Sequence, residues 1–163
     1  GRRDGWRPVA DRVLLVGESN PYGADPRFAL YPEPPGCAGA RLCEILGMSK
    51  REYLLTFDRV NLLGGARRRW SAASAREAAC ALAASVETAR YRVLLGARVA
   101  AAHGLAFKPF MKDGPQCGHA VCQCGSWLVL PHPSGRSRLW NEPGAAERAR
   151  GLVLQLVEEA RRG

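Results

Sequence analysis

The sequence predicts a three-layer α/β/α sandwich built on a central, mostly parallel four-stranded sheet. Two features lead to that fold class. Four short apolar runs, Val13–Val16, Val60–Leu63, Tyr91–Leu95 and Trp127–Leu130, each stop at a glycine or at a polar, proline-rich turn, as strands buried on both faces of a parallel sheet do. Helix-patterned segments separate these runs, and strands alternating with helices are the signature of stacked βαβ units. The chain's 163 residues, 47% hydrophobic and 24% charged, suit one domain spanning 1–163 with a real core. Collagen, coiled coil and wholesale disorder are excluded.

Taken in order, Val13-Leu14-Leu15-Val16 forms the first strand and ends at Gly17. The proline and tyrosine content of 27–36 indicates an irregular loop. Ala38 to Leu46 places small and apolar residues at helical spacing, and Gly47 stops it. Val60-Asn61-Leu62-Leu63 is the second strand. Ser71 and Ser74 are caps for an alanine-rich helix running to about Arg90. Tyr91-Arg92-Val93-Leu94-Leu95 then turns at Gly96 into a helix through Ala102, and 107–126 shows little organisation. Trp127–Leu130 is the fourth strand, and Gly144 to Arg162 closes the chain as an amphipathic helix.

Charge narrows the partners. Twenty-four basic residues against 15 acidic give +9, and 21 of the basic residues are Arg. Guanidinium forks match phosphate oxygens, and a basic surface attracts nucleic acid; a GC-rich coding sequence would also raise Arg, Ala, Gly and Pro together. No apolar run is long enough to span a bilayer and the Gly1-Arg2-Arg3-Asp4 start has no signal-like stretch, so a soluble, cytoplasmic chain is expected. Six cysteines in such a chain read as thiols rather than disulfides.

In parallel α/β sheets the ligand sits beyond the carboxyl ends of the strands. That rule selects Gly17–Gly23, Asn61, the Gly96 turn and His132–Arg138. The first of these segments is Gly17-Glu18-Ser19-Asn20-Pro21-Tyr22-Gly23 and the last is His132-Pro133-Ser134-Gly135-Arg136-Ser137-Arg138. In order, about 110 residues apart, and with Asn61 on the second strand, they resemble the motifs of the uracil-DNA glycosylase superfamily. Its members carry a Gly-x-(Asp/Asn)-Pro or Gly-Glu-x-Pro loop after the first strand and a (His/Asn)-Pro-Ser loop after the last. The resemblance covers roughly residues 12 to 160.

The resemblance implies specific roles. Breaking a pyrimidine N-glycosidic bond leaves positive charge on the sugar and negative charge on the departing base, so a donor at the base oxygen and a group that positions water are both needed. His132 is the candidate donor. Asn20 is the candidate for orienting water, and Glu18 is its rival after a one-residue shift of register. Asn61 would read the base edge, its amide both donating and accepting. Tyr22 matches the position at which a tyrosine excludes a 5-methyl group, and Phe28 and Tyr31 are candidates for stacking on the extruded base. Arg136 takes the place of the residue that fills the gap in the duplex. Ser134, Gly135 and Arg138 belong to the same DNA-binding loop, with Leu139 or Trp140 as an apolar wedge.

Blander readings stand beside these. Asn-Pro and Pro-Tyr-Gly are ordinary turn chemistry, whereas nothing in turn geometry asks for an imidazole between two prolines. Arg67-Arg68-Arg69 reads as a solvated loop, and His103 and His119 as surface residues. Cys117, Cys122 and Cys124, with His119, place four soft ligands in eight residues, but a single residue between Cys122 and Cys124 is tight for a tetrahedral site. The superfamily's four-iron clusters use two widely separated pairs. Free thiols are therefore the expected reading of the cluster and a metal the alternative, and glycosidic hydrolysis requires no cofactor.

The expected function is a monofunctional DNA glycosylase that flips a pyrimidine nucleotide and hydrolyses its glycosidic bond, leaving an abasic site. Uracil is the default base by resemblance. A hydroxymethylated or glucosylated phage base, excised as antiviral defence, is the alternative. Neither loop carries a lysine, so no Schiff-base lyase step is expected. A non-catalytic DNA-binding domain and a hydrolase acting on RNA or nucleotides are the competing classes. DNA is the expected partner and the chain is expected to be a monomer.

Overall fold

The computed structural model describes residues 12–20, 23, 25–64, 69–85, 91–113, 126–134 and 137–162. Strand β1 (Val13–Ser19) is followed by α1 (Ala38–Leu46), α2 (Lys50–Thr56), β2 (Phe57–Leu63), α3 (Ala72–Ser85), β3 (Tyr91–Leu95) and α4 (Ala97–Ala102). Then come β4 (Met111–Asp113), β5 (Ser126–Leu130) and α5 (Ala145–Arg162). The sheet order is β2-β1-β3-β5-β4. β2, β1, β3 and β5 are mutually parallel, as the sequence predicts, and β4 adds a short antiparallel edge strand, Met111 opposite Val129.

Alternation along the central strands sorts the core into two layers. Val13 and Leu15 of β1 join Leu42 of α1, Tyr53 of α2 and Val153 and Leu156 of α5 on one face. Leu14 and Val16 join Ala75 and Ala79 of α3 and Val99 of α4 on the other. β1 is buried along its first five residues, which is why its sequence shows no polar alternation.

The chain leaves β1 toward β2 on one side and returns to β3 on the other. Between β1 and β3, therefore, lies the switch point of the sheet, the crevice where open α/β sheets bind ligands.

Local chemistry explains the ends of the elements. The Cys37 thiol accepts from the Ala40 amide at 3.4 Å to start α1, and Gly47 ends it in the left-handed region at φ 65°. α2 is closed by a reciprocal capping box: the Ser49 hydroxyl accepts from the Glu52 amide at 3.1 Å and the Glu52 carboxylate from the Ser49 amide at 3.2 Å. The Ser71 hydroxyl accepts from the Ser74 amide at 3.2 Å and starts α3.

His103 corrects the sequence reading. It is only 1% exposed, and its ring Nδ1–H donates to the Val99 carbonyl at 2.8 Å. It is the C-terminal cap of α4, and its ring is enclosed. Burial, the larger influence, pushes its pKa down from 6.5 to about 4, with the Arg92 charge acting in the same direction. The unfolded chain therefore takes up the proton first as pH falls. The neutral ring's contribution is intact above about pH 6.5 and is lost as pH drops toward 4. Relative to His103→Leu, the wild type is expected to lose roughly 2–3 kcal/mol more between pH 7 and 4.5. Thermal melts of the two proteins across that range measure it, and parallel melting curves would refute it.

Candidate functional site

Four strand ends converge on a cavity of about 670 Å³, lined among others by Glu18, Asn20, Asn61, Gly96 and His132. These residues follow or end β1, β2, β3 and β5, so the cavity opens at the carboxyl edge of the parallel sheet. Phe28, Tyr31 and Ser134 line it too. Glu18, Asn20, Phe28, Tyr31, Asn61, His132 and Ser134, all candidate site residues from the sequence, thus line one cavity.

Gly96 explains how Glu18 and His132 come so close. Its φ of 101° is rarely open to a side chain, and a Cβ there would stand 3.2 Å from the His132 Cβ and 3.5 Å from a Glu18 carboxylate oxygen. The absent side chain lets the carboxylate and the imidazole flank one backbone position. Glu18 is half-buried and pairs with Arg98 at 3.6 Å, while the Arg98 guanidinium lies 5.5 Å from the Trp70 ring centre. An exposed pair of this kind contributes little to stability, so the carboxylate is restrained without being locked.

The His132 ring has a defined tautomer. The Ser134 amide donates to Nδ1 at 3.1 Å, so a neutral ring carries its proton on Nε2. The turn that carries it is braced from three directions. Arg41 of α1 donates to the Pro133 carbonyl at 2.9 Å, the Trp140 indole donates to the His132 carbonyl at 2.9 Å, and the Gly96 amide donates to the Leu130 carbonyl at 2.8 Å. Trp140 also meets Phe110 edge-on at 5.8 Å and packs on the core. It holds the His132 turn; Leu139, its neighbour, lines the cavity instead.

Asn61 stands opposite Gly17 in the β1–β2 register. A Cβ at Gly17 would lie 2.5 Å from the Asn61 Oδ1, so the glycine makes the space that the amide occupies. That Oδ1 is buried and has no hydrogen-bond partner. An unpaired buried acceptor is costly, on the order of 1–3 kcal/mol, and a ligand N–H is the natural way to satisfy it at a cavity wall.

The segment carrying Phe28 and Tyr31 is fastened by polar bonds to its own carbonyls. Arg59 donates to the Ala29 carbonyl at 2.8 Å, the Tyr53 hydroxyl to the Leu30 carbonyl at 2.8 Å and the Cys37 thiol to the Tyr31 carbonyl at 3.3 Å. Burial pulls the Arg59 pKa below its ordinary value, and its guanidinium lies 5.6 Å from the Tyr31 ring centre. In α1, a Cβ on Gly39 would collide with the Leu30 and Tyr31 carbonyl oxygens, which is why helix and loop approach so closely. Phe28 is 49% exposed and meets Tyr31 edge-on at 5.3 Å. Each ring therefore has a guanidinium near it, Arg59 at Tyr31 and Arg27 at 5.9 Å from the Phe28 ring centre, and both residues line the cavity.

Asn20 is 8% exposed, and its amide nitrogen donates to the Phe28 carbonyl at 3.4 Å. It ties the end of the first loop to the aromatic segment. Arg138 is exposed in a short 3₁₀ turn, Arg138–Asn141, next to the cavity wall formed by Ser137 and Leu139. Tyr22, Gly135, Arg136, Arg67, Arg68, His119 and the cysteines Cys117, Cys122 and Cys124 lie outside the described residues. Among the described residues, no group of three or more His, Cys, Asp or Glu side chains is placed to hold a metal, and no helix is long and apolar enough to cross a membrane.

Sequence reasoning did not single out Arg98 or Phe107, which also line the cavity. Arg98 follows the Gly96 turn that the strand-end rule does select, so its position was available from that rule. No local pattern marks Phe107. Comparison with protein-family models and with curated proteins found no match for the chain.

Proposed function

We propose that the chain is a monofunctional DNA glycosylase that hydrolyses the N-glycosidic bond of an extruded pyrimidine nucleotide. One observation carries this reading: a carboxylate, an imidazole with its donor nitrogen defined, and an amide with an unsatisfied acceptor share one cavity at the sheet's switch point. The motif resemblance agrees with it.

In the proposed reaction the bond from C1′ of the sugar to the base nitrogen breaks, and its electron pair leaves with the base. The His132 Nε2–H donates to the base oxygen as negative charge develops there, and a neutral imidazole suffices for this. Glu18 faces the cationic sugar and takes the proton of the water whose oxygen bonds to C1′. Asn20 is an amide and accepts no proton; its bond to the Phe28 carbonyl helps to hold the aromatic segment. Asn61 satisfies its Oδ1 with an N–H on the base edge, and Phe28 stacks on the ring.

Uracil is the substrate by resemblance. The cavity volume favours a second reading for the base alone. About 670 Å³ lies in the range of cavities that enclose drug-sized ligands, which leaves room for a pyrimidine bearing a bulky 5-substituent, as in hydroxymethylated or glucosylated phage DNA.

The competing class is a DNA-binding domain without catalysis. Duplexes carrying uracil, hydroxymethyluracil, hypoxanthine or glucosylated cytosine, scored by alkaline cleavage, separate the two. The wild type is expected to generate abasic sites on at least one of them. The double variant Asn20→Ala/His132→Ala is expected to bind that duplex without generating them. Binding by the wild type with no abasic sites on any duplex favours the non-catalytic domain.

A further inference from the structure

Most of the DNA-facing roles above fall to loops that follow β1 and β5. A third segment reaches the same cavity by a different route. Leu105, three residues past the end of α4, is buried in the core layer shared with α3, while Phe110 is buried in the opposite layer with α1 and α5. The chain between them, Ala106-Phe107-Lys108-Pro109, must cross from one face of the sheet to the other. It crosses at the carboxyl end of β5, because Phe110 donates its amide to the Val129 carbonyl at 2.7 Å and Phe107 lines the same cavity as His132.

Both ends of this strap are held. The Leu105 amide donates to the Ala100 carbonyl at 3.0 Å. Phe110 sits at φ 65°, a conformation that a bulky residue adopts only when its surroundings impose it. Trp140 meets its ring edge-on at 5.8 Å and the Arg148 guanidinium lies 5.0 Å from its centre. Between these anchors Ala106, Phe107 and Lys108 are all exposed, with Phe107 at 37%. A large aromatic on a short, doubly anchored segment is not a core residue left over; it is presented to the cavity mouth with little conformational freedom to lose on binding.

The geometry points to this strap as a duplex-binding element, in which Phe107, in place of the Arg136 that the motif resemblance puts there, enters the space vacated by the extruded nucleotide and Lys108 contacts a flanking phosphate. The inference rests on the glycosylase reading for its ligand, and the occupant it commits to is double-stranded DNA. The observations that favour a nucleic acid are the aromatic and the cation side by side, the exposed Arg98 and Arg138 near the same cavity, and a chain charge of +9. A duplex closes around an empty position unless something fills it, and an inserted apolar side chain offsets the stacking that base extrusion removes.

The test compares one excisable base in a duplex and in the same strand unpaired, under single turnover, for wild type, Phe107→Ala and Phe107→Trp. Phe107→Ala is expected to lose roughly 5- to 100-fold more on the duplex than on the single strand, the size of one lost base–aromatic stacking contact, and Phe107→Trp is expected to restore the duplex rate. Lys108→Gln is expected to lower the salt dependence of duplex binding by about one phosphate contact. Equal losses on the two substrates would place Phe107 in the base pocket and overturn the proposal, as would no loss on either.

A second readout does not need catalysis. In a duplex with a stable abasic analogue and 2-aminopurine opposite it, the wild type is expected to change the fluorescence and Phe107→Ala is not. If the wild type excises no base while this signal still depends on Phe107, the strap stands and the glycosylase reading fails. If excision occurs and the signal is indifferent to Phe107, the strap fails alone.

Discussion

Replacing Glu18 with Gln is expected to lower single-turnover excision by roughly 10²–10⁴-fold, the usual contribution of a positioned proton acceptor. Gln is nearly the same size and can still bond to Arg98, so the Gly96 crevice should not change shape. What disappears is the negative charge facing the sugar and the capacity to take a proton from water. Asn20→Ala is the informative contrast. That amide is 8% exposed and bonded to the Phe28 carbonyl, so its loss is expected to act through the placement of the aromatic segment and to cost less than Glu18→Gln. Rates for both variants on one substrate decide the matter; a larger loss in Asn20→Ala would transfer the water-positioning role to the amide.

His132→Ala is expected to lower the rate by about 10²–10³-fold, the effect of removing one preorganised donor from a site of developing charge. Binding of the duplex should survive, because the turn around His132 is held mainly by backbone carbonyls that accept from Arg41 and Trp140. His132→Gln supplies an N–H at a similar reach and is expected to recover part of the rate. A Gln variant no better than Ala would mean that the ring does more than donate, and that proton transfer by an imidazolium has to be considered.

Much of this site was legible before any coordinates. The apolar runs of β1, β3 and β5 have no polar alternation because the sheet is covered on both faces there, and strands so covered place ligands at their carboxyl ends, whereas the edge strand β2 carries Asp58, Arg59 and Asn61. That reasoning reached Glu18, Asn61 and His132 without knowing how far apart they lie. Their meeting depends on Gly96 and Gly17, where a missing Cβ lets side chains from adjacent strands approach, and nothing in a sequence marks which glycine serves a turn and which a close contact. The Asn20 bond to the Phe28 carbonyl, on which the preference for Glu18 over Asn20 is argued, is likewise a partner supplied by tertiary structure.

Other elements escaped for different reasons. α2 went unread although the structure shows a Ser49–Glu52 capping box at its start: it has seven residues and runs into β2 without an intervening turn, which hides its end. β4 has three residues, too few for any periodicity. His103 looked like a surface residue because no partner pattern in the sequence marks it; its burial is a property of the folded chain. The role argued for Phe107 follows from Leu105 and Phe110 belonging to opposite core layers, a property of the folded chain alone.

The central claim is hydrolytic release of a base from DNA, and mass analysis of both products tests it most directly. After a single-turnover incubation of the wild type with the duplex panel, a free pyrimidine and a strand carrying an aldehyde-reactive abasic sugar should appear in equal amounts, and both should fall away together in Glu18→Gln and His132→Ala. Intact strands across every modified base, with binding retained, would contradict the account.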